Sequence, residues 1–366
     1  MDTVRLMDTP EDYARLGVQP GEVQVWEDQR RSEPGPGAWE WWYFDAILDD
    51  GTQTVIQFFT KSKDTVNDAV DHPTATIKVT LPDGTLYQRA DERPLTETDW
   101  GEGRAAVRIG PHRFEGDLRT YHIRVDPIDG VGADLHVTSQ SKPYRPGTAY
   151  FGFGERDEDY FTWLCAVPKA EVSGTLTVDG RVVEVHGRGY HDHQWGTTNY
   201  LALWNHWLWA RQGFEDYSIL VFDLVASQRY GFTRFPICFI QDAEGNLVFE
   251  NTGELAGCEL REIHHNEASG KDYPRSTRYV FDHDGTQVVY DLRADRVIDR
   301  FDAREHMPQE AWEKLAKAGV YPTYARYSAA GELRLTHRDV VQERSGQLIY
   351  EFMYPGTAPF AEHTGL

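Results

Sequence analysis

Short runs rich in β-branched and aromatic residues recur along the chain, each showing the apolar and polar alternation of a strand or a continuous apolar stretch. They include TVIQFF (54–59), ATIKVTL (75–81), TYHIRV (120–125), GTLTV (174–178), YSILVFDLV (217–225) and QLIYEFMY (347–354). Turn signals punctuate them: Asp50-Gly51, Pro82-Asp83-Gly84, Asp129-Gly130, Asp179-Gly180, Glu244-Gly245, Asp284-Gly285, Gly331 and Ser345-Gly346. Such runs between Gly-containing turns are the mark of hairpin-linked antiparallel strands, so the chain is predicted to be mainly β. Helical signals occur twice. Thr9 as N-cap, Pro10 at the first position and Gly17 after the end frame one short helix. The stretch 308–318, PQEAWEKLAKA, frames another, with Ala311, Leu315 and Ala318 at helical spacing, Trp312 beside them and Gly319 as the stop. That helix is expected to lie against a barrel wall or mouth. Pro34-Gly35-Pro36-Gly37 cannot belong to a central strand and reads as a linker leading an N-terminal arm into the first strand.

An internal repeat adds a second level of order. EWWYFDAILDDGTQTVIQFF (40–59) overlies NHWLWARQGFEDYSILVFDL (205–224) without a gap, so that Trp42 meets Trp207, Phe44 meets Trp209, Ile56 meets Val221 and Phe58 meets Asp223. Each half then opens with the same aromatic hairpin. The repeat predicts an arm over 1–38 and two tandem antiparallel β-barrels over 39–198 and 199–366, with a few short helices. Length agrees, because 366 residues exceed the span over which a single core usually grows.

Charge narrows the partners. A formal net charge of −22 repels phosphate backbones and anionic headgroups, so no nucleic-acid partner is expected. No basic segment followed by an apolar one opens the chain, and no apolar run reaches the ~18 residues of a membrane span. A soluble, cytoplasmic protein is the expectation. The three cysteines, Cys165, Cys238 and Cys258, lie far apart and outside any CxxC pair, which fits a reducing compartment. The 11 tryptophans exceed what folding alone needs and point to aromatic-lined ligand cavities.

Three constellations can carry chemistry. In GYHDHQWG (189–196), an extended backbone puts His191, His193 and Trp195 on one face and Asp192 and Gln194 on the other. His-x-His on a strand offers two metal ligands, with His206 or His186 as a third; the same groups equally suit metal-free proton transfer or backbone hydrogen bonds. In EWWYF (40–44), Glu40, Trp42 and Phe44 share a face, either as packed core or as the lining of a pocket for an apolar or cationic ligand. Asp223 is the ionisable group of an otherwise apolar strand, on the face of Tyr217, Ile219, Val221 and Val225. Buried there, it either pairs with an arginine or stays protonated as a general acid. His264-His265 reads as a solvated loop. No phosphate loop, nucleophile elbow or HExxH is present in the sequence.

EWWYFD near the start, GRGYHDHQWG at the centre and the closing LIYEFMYPG together resemble the family of carotenoid 1,2-hydratases and AttH-type proteins, which is similar in turn to fungal Diels–Alderases and kievitone hydratases. The resemblance runs from about residue 39 onward. It implies two lipocalin-like barrels, a ligand pocket between them and no required cofactor. It carries site roles onto Glu40 to Phe44, onto His191, Asp192, His193 and Trp195, and onto the strand of Asp223.

The combined expectation is a cofactor-free hydratase or dehydratase acting on a C=C bond of an apolar, isoprenoid- or polyketide-like small molecule. In it Asp223 gives a proton, and His193 activates water, oriented by Asp192 or Tyr190. Glu40, Trp42, Phe44, Trp195, Trp207 and Tyr217 bind the substrate. The alternatives are a cofactor-free cyclase or isomerase, a non-catalytic lipophile carrier, and a metal site on His191, His193 and His206.

Overall fold

The computed structural model describes residues 2–62, 65–253, 257–267, 269–338, 340–357 and 359. The Asp-Gly and Glu-Gly turns do close hairpins, and the strands they join form two antiparallel sheets, each curled into a half-barrel. Residues Arg5–Asn199 make one compact unit; the described residues from Tyr200 onward, with those before Arg5, make the other. Residues 5–38 therefore fold with the first sheet rather than standing apart from it.

In the first unit the strands run in the order Leu86–Glu92, Thr74–Thr80, Gln53–Phe59, Trp39–Leu48, Arg181–Gly196, Leu164–Val178, Val131–Ser139, Thr120–Ile128, His112–Gly116, Ala105–Ile109, Thr98–Asp99. In the second the order is Leu247–Asn251, Arg234–Asp242, Tyr217–Ala226, Trp204–Gly213, Val340–Gly356, Val320–His337, Thr286–Asp302, Lys271–His283, Gly257–Asn266. The aromatic hairpins of the repeat thus occupy equivalent places. In each unit the opening strand, Trp39–Leu48 or Trp204–Gly213, pairs with the unit's last strand. Trp42, Phe44, Ile56, Phe58 and Ile77 lie in the first core, and Leu208, Ile219, Val221, Tyr279 and Phe352 in the second.

The first helix, Pro10–Leu16, has the expected ends: Thr9 and Asp12 form a reciprocal capping box and Gly17 closes it in the left-handed region. The second is Gln309–Lys317; it buries none of its residues and meets its neighbouring strand through Trp312 against Tyr321, with ring centroids 5.8 Å apart.

Two sequence expectations are overturned. Gly331 and Ser345-Gly346 are not turns but lie within the strands Val320–His337 and Val340–Gly356, where Gly331 pairs with Gly346. A Cβ at Gly331 would come within 2.4 Å of the Gln212 side chain, which donates to the carbonyls of both glycines at 3.2 and 2.8 Å. Close approach, not chain reversal, requires glycine there. His264 and His265 belong to the strand Gly257–Asn266 instead of a loop, both exposed. None of the described helices is long and apolar enough to cross a membrane. None of the three cysteines is in a disulfide, and all three are buried.

Candidate functional site

The GYHDHQWG segment ends the strand Arg181–Gly196, which pairs with Trp39–Leu48 so that His193 stands opposite Trp42, Trp195 opposite Glu40 and His191 opposite Phe44. Residues directly opposite on antiparallel strands share a face, and both motifs contribute to one buried cluster. Gly189 is required by its neighbours: a Cβ there would lie 2.7 Å from the Val172 side chain and 3.0 Å from the Phe44 ring.

His193 is the centre of the cluster and has no exposed surface. Its Nε2 donates to Glu40 Oε1 at 2.7 Å. Its ring stacks on Trp42 at 4.5 Å and 20°, and Trp195 lies beside it at 4.8 Å. Glu40 is equally buried, and the backbone N–H groups of Arg31 and Ser32 donate to its two oxygens at 2.7 Å each. On the other side of the imidazole, Nδ1 stands 3.2 Å from Asp28 Oδ1, but the pair is too poorly aligned for a hydrogen bond, and neither atom has another hydrogen-bond partner among the described residues. Asp28 Oδ2 accepts from Tyr121 Oη at 2.5 Å and faces His191 Nε2 at 3.2 Å. His191 Nδ1 donates to the Tyr43 carbonyl at 2.8 Å.

Burying carboxylates costs several kcal/mol unless partners replace water, and this cluster supplies them. Burial alone would lift the Asp28 pKa, yet the charge and hydrogen bond of His191 and the charge of the nearby His193 outweigh it and hold Asp28 below the usual carboxylate range. Burial works to lower His193, and the hydrogen bond to Glu40 together with the charges of Glu40 and Asp28 prevails, so its pKa is raised. The result is an imidazole braced between two carboxylates over an indole face, with its protonated form favoured.

Asp192 and Tyr190 do not orient that imidazole, contrary to expectation. Strand alternation puts them on the opposite face, where Asp192 accepts from Tyr190 Oη at 2.9 Å, Trp163 Nε1 at 3.0 Å and Gln194 Nε2 at 3.3 Å. Burial pushes Asp192 up to about 6 against the pull of these donors. The groups that orient His193 are Glu40, expected as a substrate contact, and Asp28, which the sequence did not reveal. Asp28 ends a 3₁₀ turn, Val25–Asp28, positioned by the Trp42 indole donating to its carbonyl at 3.0 Å. Such a turn has no periodicity to announce a buried acid; the only sequence signal is the adjacent pair Glu27-Asp28 beside Trp26. Glu27 is also buried, in an ion pair with Arg145 at 2.8 Å.

Trp42, Phe44 and Trp195 are almost wholly buried. Trp42 is covered on its faces by His193 and Trp100, and Trp195 donates from its indole to Tyr150 Oη at 3.1 Å while Arg31 lies over its ring at 5.1 Å.

In the second unit Asp223 takes the arginine partner that the sequence left open. Arg234 donates to Oδ1 at 2.8 Å and to Oδ2 at 2.9 Å, and Tyr279 Oη donates to Oδ2 at 2.8 Å. A guanidinium fork with a third donor satisfies a carboxylate's charge, and the role of proton donor written for Asp223 loses its support. Tyr217 packs at the edge of the second core with Arg344 over its ring, and Trp207 meets Phe222 edge to face. His206 belongs to this unit too, with Asn205, Phe352 and Tyr354 around it. Among the described residues the group of histidines and carboxylates close enough to share an ion is another one, His122, Asp134 and His136, which includes none of His191, His193 and His206.

Two half-barrels with equivalent opening hairpins, the first holding an imidazole between buried carboxylates, make this a tandem β-barrel protein. The chain belongs to the AttH-like family, whose model matches residues 33–296. It is 24% identical over 221 residues to the hydroxyneurosporene dehydrogenase of Chlorobaculum tepidum, covering 48% of this chain and 54% of that protein. It is 25% identical over 164 residues to the Diels-Alderase cheD of Chaetomium globosum, covering 43% and 39%. The chain thus spans about half the length, or less, of these curated relatives. In fold it is similar to kievitone hydratase of Nectria haematococca, with a TM-score of 0.55 and 15% identity over 92% of this chain and 93% of that one.

Proposed function

We propose that this chain is an enzyme that works without a cofactor, a hydratase or dehydratase acting at a C=C bond of an apolar isoprenoid- or polyketide-like small molecule. The observation that carries this reading is His193, a buried imidazole with a raised pKa whose Nε2 is committed to Glu40 while Nδ1 faces Asp28 without an aligned hydrogen bond. Nδ1 is the nitrogen with a proton to give.

In the hydration direction, His193 Nδ1 transfers its proton to one alkene carbon and leaves a cation on the other. Water adds to that carbon and loses a proton, and the imidazole regains one, so that the net change is one water added. Glu40 keeps the ring oriented and its charge favourable, and Asp28 compensates the imidazolium before transfer. Trp195 contributes an aromatic face to the substrate. The names of the relatives support hydratase and cyclase chemistry in general; Asp223, held by Arg234, takes no proton-transfer part.

The test is incubation of purified protein with acyclic isoprenoids and polyketide-derived enones, followed by mass spectrometry for gain or loss of one water. Activity in the unaltered protein that collapses in His193→Asn and Glu40→Gln, and persists in folded Asp223→Asn, supports the reading. Products of unchanged mass formed equally well by His193→Asn support the cyclase reading, which the similarity to a Diels-Alderase favours. A lipophile bound and recovered unchanged marks a carrier.

A further inference from the structure

On the outer face of the first sheet, away from the buried cluster, the strands Thr120–Ile128 and Val131–Ser139 bring three ligand-type side chains together. His122 pairs directly with His136 across the ladder. Asp134, two residues before His136, emerges on the same face by the period of the strand. The two imidazoles stand 4.8 Å apart and nearly parallel, at 12°. His122 Nε2 lies 2.7 Å from Asp134 Oδ1, with side chains 39% and 47% exposed. One ligand atom from each of the three lies within 4.8 Å of the others.

We propose that His122, Asp134 and His136 form a binding site for a divalent transition-metal ion such as Zn²⁺. Two imidazoles and one carboxylate are a donor set suited to Zn²⁺, Co²⁺, Ni²⁺ or Cu²⁺ and not to Mg²⁺ or Ca²⁺, which prefer oxygen. With bonds of about 2.0–2.2 Å, two ligand atoms on one zinc ion stand at most about 4 Å apart. The observed spacing needs a closure of roughly 1 Å, which exposed side chains reach by small rotations about χ1 and χ2. The backbone sets the rest, since a directly opposed pair on a two-stranded ladder has its Cβ atoms about 5 Å apart. Nearby Arg124, opposite Asp134 in the ladder, is held by its own Asp126 at 2.6 Å, so its charge does not claim the Asp134 carboxylate. Three protein ligands at the surface leave a coordination position to water.

The experiment uses the full chain with any affinity tag removed and metal stripped. Zn²⁺ is titrated by calorimetry, Co²⁺ by its visible absorption, and the thermal midpoint is read with and without Zn²⁺, which rises when an ion binds the folded state alone. One ion per chain is expected, with affinity falling about 10–100-fold or more in His122→Ala and in His136→Ala, and the thermal shift lost with it. His265→Ala, at the exposed pair His265–Asp272 of the other sheet, serves as the control and keeps both. Because the substituted side chains are surface groups, the variants fold, and unchanged circular dichroism verifies it. No Zn²⁺ binding, or binding that survives both substitutions, overturns the proposal.

Discussion

The two units bury carboxylates beside the same opening hairpin, but they set different cations against them. In the first, Asp28 and Glu40 face the imidazole of His193; in the second, Asp223 faces the guanidinium of Arg234. Burial works to lower Arg234, and the charge and hydrogen bonds of Asp223 raise it further above an already high value, so it stays charged at every pH a protein meets. An imidazole gains and loses its proton near neutrality. One interior therefore holds a titratable cation and the other a fixed pair, although both read in sequence as an acid in an aromatic strand. What faces a buried carboxylate, and not its burial, decides whether it can do proton chemistry.

The contrast can be tested where its effects are largest. His193→Asn is expected to lower turnover by about 10²–10⁴-fold, the usual range for a positioned acid or base, with the thermal midpoint far less affected than turnover; equal turnover in steady-state assays would remove proton chemistry from the first unit. Asp223→Asn acts instead on stability. Leaving a buried guanidinium uncompensated costs about 3–5 kcal/mol in chemical denaturation, and replacing Asp223 and Arg234 together by leucine and methionine recovers much of that loss. If the double variant is as unstable as the single one, the pair is more than a structural contact.

Smaller effects come from pH. His193 has a raised folded-state pKa, so the stability it contributes is full below its ordinary value of about 6.5 and is lost as pH rises through the folded-state value. Asp192 reinforces this trend: folding raises its pKa to about 6, so stability falls as pH climbs from its ordinary value of about 4 to about 6. Asp28, lowered, contributes stability above about 3.9 that disappears on acidification. Glu40→Gln removes one of the carboxylates that oppose burial, and an imidazole-detected NMR titration should find the His193 pKa lower than in the unaltered protein. An unmoved pKa would mean that Glu40 does not hold the proton on His193. Smallest of all is the exposed pair Arg344–Asp216, with side chains 34% and 44% accessible; Asp216→Asn should change stability by less than about 1 kcal/mol.

Much of the architecture was legible because strands and turns are local. The period of two in EWWYF and GYHDHQWG assigned Glu40, Trp42, His191 and His193 to the correct faces, and Thr9, Pro10 and Gly17 framed a helix that the structure contains. Errors arose where long-range pairing overrides a local signal. Gly331 and Gly346 imitate turns but accommodate Gln212, a neighbour more than a hundred positions away. Asp192 was linked to His193 through sequence adjacency, although adjacent residues on a strand point apart. Asp28 lies in a turn with no repeating pattern, and its importance depends wholly on what Tyr121, His191 and His193 bring to it.

The pairing of the opening strand with the last strand of its unit also has a kinetic consequence. His193 and Glu40 are 153 positions apart in the chain, so their contact is among the costliest in loop-closure entropy and belongs with the non-local pairings that slow the folding of β proteins. During synthesis Glu40 emerges from the ribosome long before its partner, and the cluster comes into being only when Arg181–Gly196 docks. Formation of the His193–Glu40 bond is thereby a reporter for the docking of Arg181–Gly196 onto Trp39–Leu48.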